Sequence, residues 1–501
     1  MGEFFLSLDI GTSSVRAILF DRNGLQRYFA GAEYSLITTV DGRAEIDADL
    51  VFDSTVKVIR ECVTESGIER NSLAGIGISC HMHSFLLVDS EGKPLTRMMP
   101  WADNRSMEEA EFIAENYDVS DLYARTGCRV HHPMYPVTKV LWFKKHEPEI
   151  FQKTYKFITI KEYILYRLYG VFAVDFTLAS CQGYYNIHSQ SWDEHILRDI
   201  LGITRDRLSE VVECTHIFRG FKQEYESILG ISRETPLIIG SGDGILANLG
   251  CGVRDDTSFS STVGTSGAIR TAVDKPLIDP KQRTWCYAFT RDKWVAGGAV
   301  NNGGIVLKWL RDEFRKQFEY DAHEANSNIY KLFDEMAAEV RPGSDGLIFL
   351  PYLTGERCPD WNAGARGIMY GLGISHGRKH IIRAAMEGVM YRFYSIFEIM
   401  TELRNNAKKI MANGGYTNSE PWLQIQADIF NKEIIVPEVQ EASSLGAAFL
   451  CMVSLGLADM NDILPGMKPK KVIQPNAENH EEYMKAYELS KQIYSSIYPG
   501  L

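Results

Sequence analysis

Three short turns in this chain of 501 residues combine glycine with threonine and serine, the residue types that hold phosphate. They are Asp9-Ile10-Gly11-Thr12-Ser13-Ser14, Val263-Gly264-Thr265-Ser266-Gly267, and the stretch NGGYTNS at 413–419. Glycine lets the backbone approach an anion. Successive N–H groups then converge on its oxygens as a nest. The hydroxyls of Thr12 and Ser13 add donors, and Asp9 beside the first turn suits a magnesium ion held largely through water. Any one of these turns also reads as an ordinary polar β-turn. Three of them, each leaving an apolar strand, suit one nucleotide held across a cleft.

Further groups stand at strand ends and in loops. GSGDGILANLG (240–250) places Asp243 between glycines. So little cover suits a general base reaching a substrate hydroxyl, while a turn-favouring aspartate is the structural alternative. His81 and His83 close the strand ending at SCHMHSF, and on a strand both would face one side. No third metal ligand has compatible spacing, which leaves satisfied histidines or a polar-ligand contact. WADNRS (101–106) combines an aromatic surface with Asp103 and Arg105, as a sugar site does; a loop salt bridge between the two is the plainer reading. His131 and His132 lie on a proline-broken loop, and the aromatic stripe 161–169 reads as core.

The elements that position these groups follow from apolar periodicity. Strands are expected at 4–10, 15–20, 73–79 and 84–89, and helices near 49–66, 106–117 and 137–146. A further helix over 161–170 stops on Gly170. Residues 235–244 read as a buried strand running into a glycine-rich turn. At 258–273 the opening pattern restarts: GTSSVRAIL and GTSGAIRTAV share the turn and its apolar flanks. A long helix over 380–404 carries apolar positions 382, 386, 389, 393, 396, 397 and 400 on one face. Residues 410–430 read strand, Gly-Gly turn, helix. Residues 441–456 start with serine caps and carry the small residues Gly446, Ala447 and Ala448, as in a helix pressed on a neighbour. A duplicated α/β pair results, with the boundary near 245–256.

A formal net charge of -12 argues against non-specific nucleic-acid binding, and any anion site must be built locally. Apolar residues make up 45% and charged residues 24%, as in a globular protein, and no run long enough to span a membrane occurs. The N-terminus reads as a first strand, not a signal peptide. Nine scattered cysteines without C-x-x-C read as reduced thiols of a cytoplasmic protein, so the NRS sequon at 104–106 is not taken as glycosylated. P-loop and dinucleotide fingerprints are absent.

These residues together resemble the FGGY carbohydrate kinases of the actin-like ATPase superfamily. DIGTSSVRAILFD and VGTSG resemble the family's two phosphate motifs, and NGGYTNSEPWLQIQADIF its adenosine motif. MYPVTKVLWFKKH (134–146) and GIMYGLGISHGRKHIIRAAMEG (367–388) resemble its two domain signatures. The resemblance covers essentially the whole chain. It implies an α/β fold of two actin-like (RNase H-like) ATPase domains with an interdomain cleft, 1–245 for sugar and phosphate and 246–501 for nucleotide.

Roles carried over by the resemblance are as follows. Asp243 is the catalytic base and, with Asp9, flanks Mg²⁺. Thr12, Ser13, Arg16 and Thr265 sit near the ATP phosphates; Gly264, Gly304, Lys308, Gly415 and Ser419 belong to the nucleotide site. Met82 and His83 contact the sugar, with Asp103 and Arg105 nearby. Lys308 stands where glycerol kinases carry glutamine and Ser419 where they carry asparagine. Gly244 replaces their substrate amide, which argues against glycerol. Motifs including TSGAIR and GERCPDWNAGARG are most similar to the gluconate kinase branch. The implied reaction is phosphorylation of a terminal hydroxyl of a small open-chain sugar acid, D-gluconate to 6-phosphogluconate, with domain closure excluding water. Xylulose or another ketose or polyol is the alternative substrate, and an actin-like ATPase without sugar kinase activity the remote one. The implied partners are the sugar acid and ATP/ADP, with no nucleic acid or membrane, and a homodimer is left open. The donor for the substrate carboxylate is sought among His83, Arg105 and the pair His131 and His132.

Overall fold

Apolar residues run through Phe4–Ile10 (β1) and Ser14–Asp21 (β2), which pair antiparallel with Ile10 opposite Val15. Phe5, Leu6, Ser7 and Leu8 are all fully buried, so both faces of β1 are covered, the mark of a central strand. Gln26–Glu33 (β3) extends the pair on one side. On the other, Leu73–Cys80 (β4) joins β1 in parallel. Ile217–Phe218 (β5) and Leu237–Gly242 (β6) complete the order β5-β6-β4-β1-β2-β3, with β6 parallel to β4. The computed structural model describes residues 3–324, 327–439 and 441–499.

Helices form where capping and apolar stripes coincide. Ala48–Glu65 (α1) is capped by Asp47, whose side chain accepts from the backbone N–H groups of Asp49 and Leu50, and it packs on β2 and β3. Pro136–His146 (α2) begins on proline, which suits a first helical turn. Ile160–Tyr169 (α3) has a Thr159–Glu162 capping box and stops, as expected, on Gly170 at φ 74°. Beyond β6 the structure corrects the sequence reading. The chain does not turn loosely there but enters Asp243–Gly250 (α4) at once, so Asp243 is the first helical residue.

A second sheet repeats the topology. Ser258–Val263 (β7) and Gly267–Val273 (β8) form a hairpin, Lys409–Asn413 (β9) and Glu433–Pro437 (β10) follow in parallel, and Pro469–Ile473 (β11) closes antiparallel to β10. Ile305–Glu313 (α5), Ile329–Ala338 (α6), Arg378–Leu403 (α7) and Glu420–Phe430 (α8) accompany it. The apolar positions expected on α7 are buried, but so are Arg383, Glu387 and Arg392. Arg383 and Glu387 tolerate this because they pair one turn apart at 2.8 Å.

The chain divides into two compact units. The first comprises Met1–Gly252, Val273–Ala296 and Glu441–Met467, and the second Val253–Ala272, Gly297–Gln440 and Lys468–Leu501. The first unit therefore owns Ala442–Ser454 (α9), which packs on α4, β1 and β4. A Cβ on Gly77 would lie 2.2 Å from the Ala447 carbonyl oxygen, and one on Gly446 2.0 Å from that of Leu246. These glycines admit backbone-to-backbone contact that no side chain would allow, as the small-residue stripe suggested. The expected serine caps are absent: Glu441 precedes α9 without a side-chain cap bond. Ser443 and Ser444 lie inside the helix because its first turn packs against the sheet; Ser444 is fully buried. All nine cysteines are buried and unpaired with one another. Among the described residues, no helix is long and apolar enough to cross a membrane.

Candidate active site

The parallel strands β1, β4 and β6 end at one level, with Asp9 beside Ser79, Ser241 beside Ser79 and Gly242 beside Cys80. The Gly11–Ser14 turn, Met82–His83 and Asp243 all lie at or just past those ends. Open α/β sheets collect their ligands at the carboxyl ends of parallel strands, and these residues of the first unit gather there.

Asp9 Oδ1 accepts from Ser79 Oγ at 2.7 Å, and Ser443 Oγ stands 3.5 Å from Oδ2. Burial pushes the Asp9 carboxyl up to about 6; the Ser79 hydrogen bond and Arg16 oppose this, while Asp243 and Glu441 add to it. Two further carboxylates thus act on Asp9, and one of them, Glu441, lies 3.4 Å from the Arg16 guanidinium. Asp243 is half-buried and its Oδ1 accepts from the Gly244 N–H at 2.7 Å. Thr12 is half-buried and Ser13 exposed on the turn, which Tyr34 braces by donating from its hydroxyl to the Gly11 carbonyl at 2.5 Å. The donor set is made of hard carboxylate oxygens, three of them facing a single guanidinium, which fits a magnesium ion.

The histidines part company. β4 ends at Cys80, so His81 and His83 are not on a strand, and His83 has φ 64°. This corrects the expectation that both face one side. His81 is buried, with Nδ1 3.1 Å from the Ile10 carbonyl, and ties β1 to β4. His83 points into an aromatic cage: Nε2 is 3.1 Å from the Tyr287 hydroxyl, and the Tyr135 ring stands edge-on at 5.2 Å. Gly242 gives Met82 its room, because a Cβ there would lie 2.8 Å from Met82 Cγ. Behind this floor, fully buried Lys161 pairs with Asp175 at 2.7 Å and donates to the Ser241 carbonyl at 3.2 Å. The stripe 161–169 is core, as its aromatic residues suggest, but its first position is a paired buried charge.

For Asp103 and Arg105 the structure shows the plainer alternative. Arg105 Nη2 lies 2.9 Å from Asp103 and 2.6 Å from Glu45, and Asp103 Oδ2 also accepts from the Ala44 N–H at 2.8 Å. Asp103 is fully buried and Arg105 nearly so. Their charges serve each other, since an unpaired buried charge would cost several kcal/mol, about 3–5. His131 is held neutral: burial, then the neighbouring Arg129, lowers its pKa to about 4.

The second unit contains a cavity of about 620 Å³ at the ends of β7 and β9. Gly264, Thr265, Gly304, Lys308, Gly415 and Ser419 all line it, so the six positions singled out in this half come together. The Gly264–Ser266 turn is bound to the start of α5, with Gly304 N–H donating to the Gly264 carbonyl at 2.7 Å and Gly303 N–H to that of Thr265 at 3.1 Å. Tyr416, Trp422, Met386 and Asp334 also line the cavity. Sequence reasoning missed these, as it missed Glu441 beside Asp9. Trp422 stood inside the quoted adenosine motif, but nothing local distinguishes Asp334.

A doubled α/β core with phosphate-type turns at its strand ends is the architecture of the actin-like ATPases that phosphorylate sugars. The family model described as "FGGY family of carbohydrate kinases, N-terminal domain" matches residues 4–250, and the C-terminal domain model matches residues 259–455. The chain belongs to the FGGY family of carbohydrate kinases. It is 42% identical to the gluconokinase of Bacillus subtilis (strain 168) over 470 residues, 93% of this chain and 90% of that protein. The crystal structure of gluconate kinase from Lactobacillus acidophilus matches with a TM-score of 0.91 at 34% identity, covering 99% of this chain and 98% of that one. The ligand-bound xylulose kinase from Lactobacillus acidophilus matches with a TM-score of 0.91 at 33% identity, covering 99% of each chain.

Proposed function

We propose that this kinase transfers the γ-phosphate of ATP to the terminal hydroxyl of D-gluconate, giving 6-phosphogluconate in the cytoplasm. The observation that carries the reaction is the convergence of Asp9 and Asp243 at the ends of β1 and β6, the two strands that flank β4, beside Met82 and His83. Asp243 orients the sugar hydroxyl and takes its proton as the oxygen attacks phosphorus. Asp9 and Asp243 hold Mg²⁺, which when bound neutralises phosphate charge. Thr12, Ser13 and Arg16 serve the phosphates from the first unit. Gly264, Thr265, Gly304, Lys308, Gly415 and Ser419 form the nucleotide site of the second. Met82 and His83 contact the sugar, His83 held by its tyrosines.

The choice of a sugar acid is supported by the 42% identity to a gluconokinase. Its carboxylate needs a cation. Arg105 is committed to Asp103 and Glu45, and His131 is neutral near pH 7. We assign this role to Arg129, a permanent charge that acts on His131 two residues on, in the loop that leads to Tyr135. A charge-assisted hydrogen bond of about 1.5–3 kcal/mol corresponds to roughly a ten- to hundredfold preference over a neutral polyol. An ADP-coupled assay with gluconate, xylulose, glycerol and a neutral polyol tests the reading. The gluconate preference should hold between about pH 6 and 8, as an arginine requires, and shrink in Arg129→Ala. Equal or better turnover of xylulose would replace gluconate by the ketose, the second reading that the xylulose kinase structure supports.

A further inference from the structure

The cavity of the second unit holds a carboxylate that phosphate binding does not explain. Asp334 projects from α6 into the cavity together with Ser419 and Trp422. Ser419 caps α8 by accepting from the Trp422 N–H at 3.2 Å, and its own hydroxyl donates to Asp334 Oδ1 at 2.5 Å. Among the described residues, Oδ2 of Asp334 has no hydrogen-bond partner. Like charges repel, so the carboxylate faces a neutral part of the ligand and not its phosphates. Adenosine offers two kinds of donor, the ribose hydroxyls and the amino group at C6 of the base. A vicinal diol matches both oxygens of a carboxylate. Here Ser419 already occupies one lone pair of Oδ1, so Oδ2 is the open oxygen, and a single amino group fits it more simply than a diol spanning both. Trp422 and Met386 supply apolar surface in the same cavity, as a flat base requires.

We propose that Asp334, oriented by Ser419, accepts a hydrogen bond from the C6 amino group of adenine and sets the base specificity of the phosphate donor. This rests on the reading of the cavity as the nucleotide site. The test compares kcat/KM for ATP, for purine riboside triphosphate, which lacks the amino group, and for 2′-deoxy-ATP. The proteins are the wild type, Asp334→Ala, Ser419→Ala and Gly264→Val. Wild type should favour ATP over the purine analogue by about tenfold or more, the scale of a hydrogen bond to a charged group. Asp334→Ala should reduce that preference to within about twofold, and Ser419→Ala should reduce it in part. Discrimination against 2′-deoxy-ATP should stay unchanged. A wild type indifferent to the amino group overturns the proposal without any variant. A base preference that survives Asp334→Ala overturns it too, as does a collapse of the 2′-deoxy discrimination instead, which would assign Asp334 to the ribose. If Gly264→Val raises the KM for ATP while the base preference ignores Asp334, only this inference falls. If Gly264→Val leaves that KM unmoved, the nucleotide reading of the cavity falls with it.

Discussion

Four residues, Gly11 to Ser14, separate the paired Ile10 and Val15 in the first hairpin, and three, Gly264 to Ser266, separate Val263 and Gly267 in the second. Both hairpins run antiparallel, and both have a parallel neighbour on the same side, β4 for β1 and β9 for β7. The surroundings differ. The first turn faces carboxylates, with Asp243 and Glu441 both acting on Asp9. The second opens on a cavity walled by Trp422, Tyr416 and Met386, with Lys308 on its rim. One backbone plan therefore supports two chemistries. Acidic side chains suit metal and proton transfer, and apolar walls with a lysine suit a nucleotide.

That contrast breaks most sharply at Asp243. Asp243→Asn should lower kcat by about 10²–10⁴, the usual range for losing general-base help. The KM for ATP should change far less than kcat, because the second turn is untouched and asparagine keeps an oxygen where the aspartate had one. Near wild-type turnover in steady-state kinetics would take Asp243 out of the mechanism.

The second turn can be broken in two distinguishable ways. A Cβ on Gly264 meets only the Ser266 oxygen, at 3.8 Å, so Gly264→Val should fold. Its bulk should keep the backbone from the phosphate and raise the KM for ATP roughly tenfold to a hundredfold, the cost of one charge-assisted bond. A Cβ on Gly267 would lie 2.3 Å from Phe393 Cζ and 2.6 Å from the Thr262 oxygen, so Gly267→Ala should instead lower the melting temperature. If only the sugar KM moved in Gly264→Val, the turn would not hold phosphate.

A smaller effect is expected at His131. Its folded pKa of about 4 lies below the ordinary 6.5, so the folded state binds the proton less well than the unfolded one. The contribution is favourable above about 6.5 and is lost as pH falls toward 4, by on the order of 1–2 kcal/mol once partial exposure is allowed for. Urea unfolding between those pH values should show a shallower decline in His131→Asn. An identical slope would mean the ring is not held neutral.

Ser444→Ala should change least. The Ser444 hydroxyl is buried and has no hydrogen-bond partner among the described residues, so its removal should leave stability within about 0.5 kcal/mol or improve it. A clear loss measured by denaturation would reveal a partner for that hydroxyl.

Much of this was legible because it is local. The Gly170 stop, the strands of both hairpins and the three Gly/Thr/Ser turns depend on residues within a few positions of one another. All six second-half positions that the resemblance assigns to the nucleotide line one cavity. What misled was also local. A glycine on either side of Asp243 reads as a turn, yet tertiary packing of α4 on α9 extends a helix through it. Serines before an apolar run read as caps, yet the helix starts ahead of them.

The amino-acid sequence by itself determined the repeated strand–turn–strand plan and the residue types at its turns, because periodicity and turn chemistry are short-range. Only the tertiary structure decided which charges remain available for ligands. Asp103 and Arg105 look like a sugar site in sequence and close on each other and on Glu45, 60 positions from Arg105. Glu441, more than 400 positions from Arg16, comes to its side through α9, which the first unit takes back late in the chain. Asp334 gains its place only through Ser419, 85 positions away. Pairings at such separations depend on how elements pack, and no local pattern encodes them.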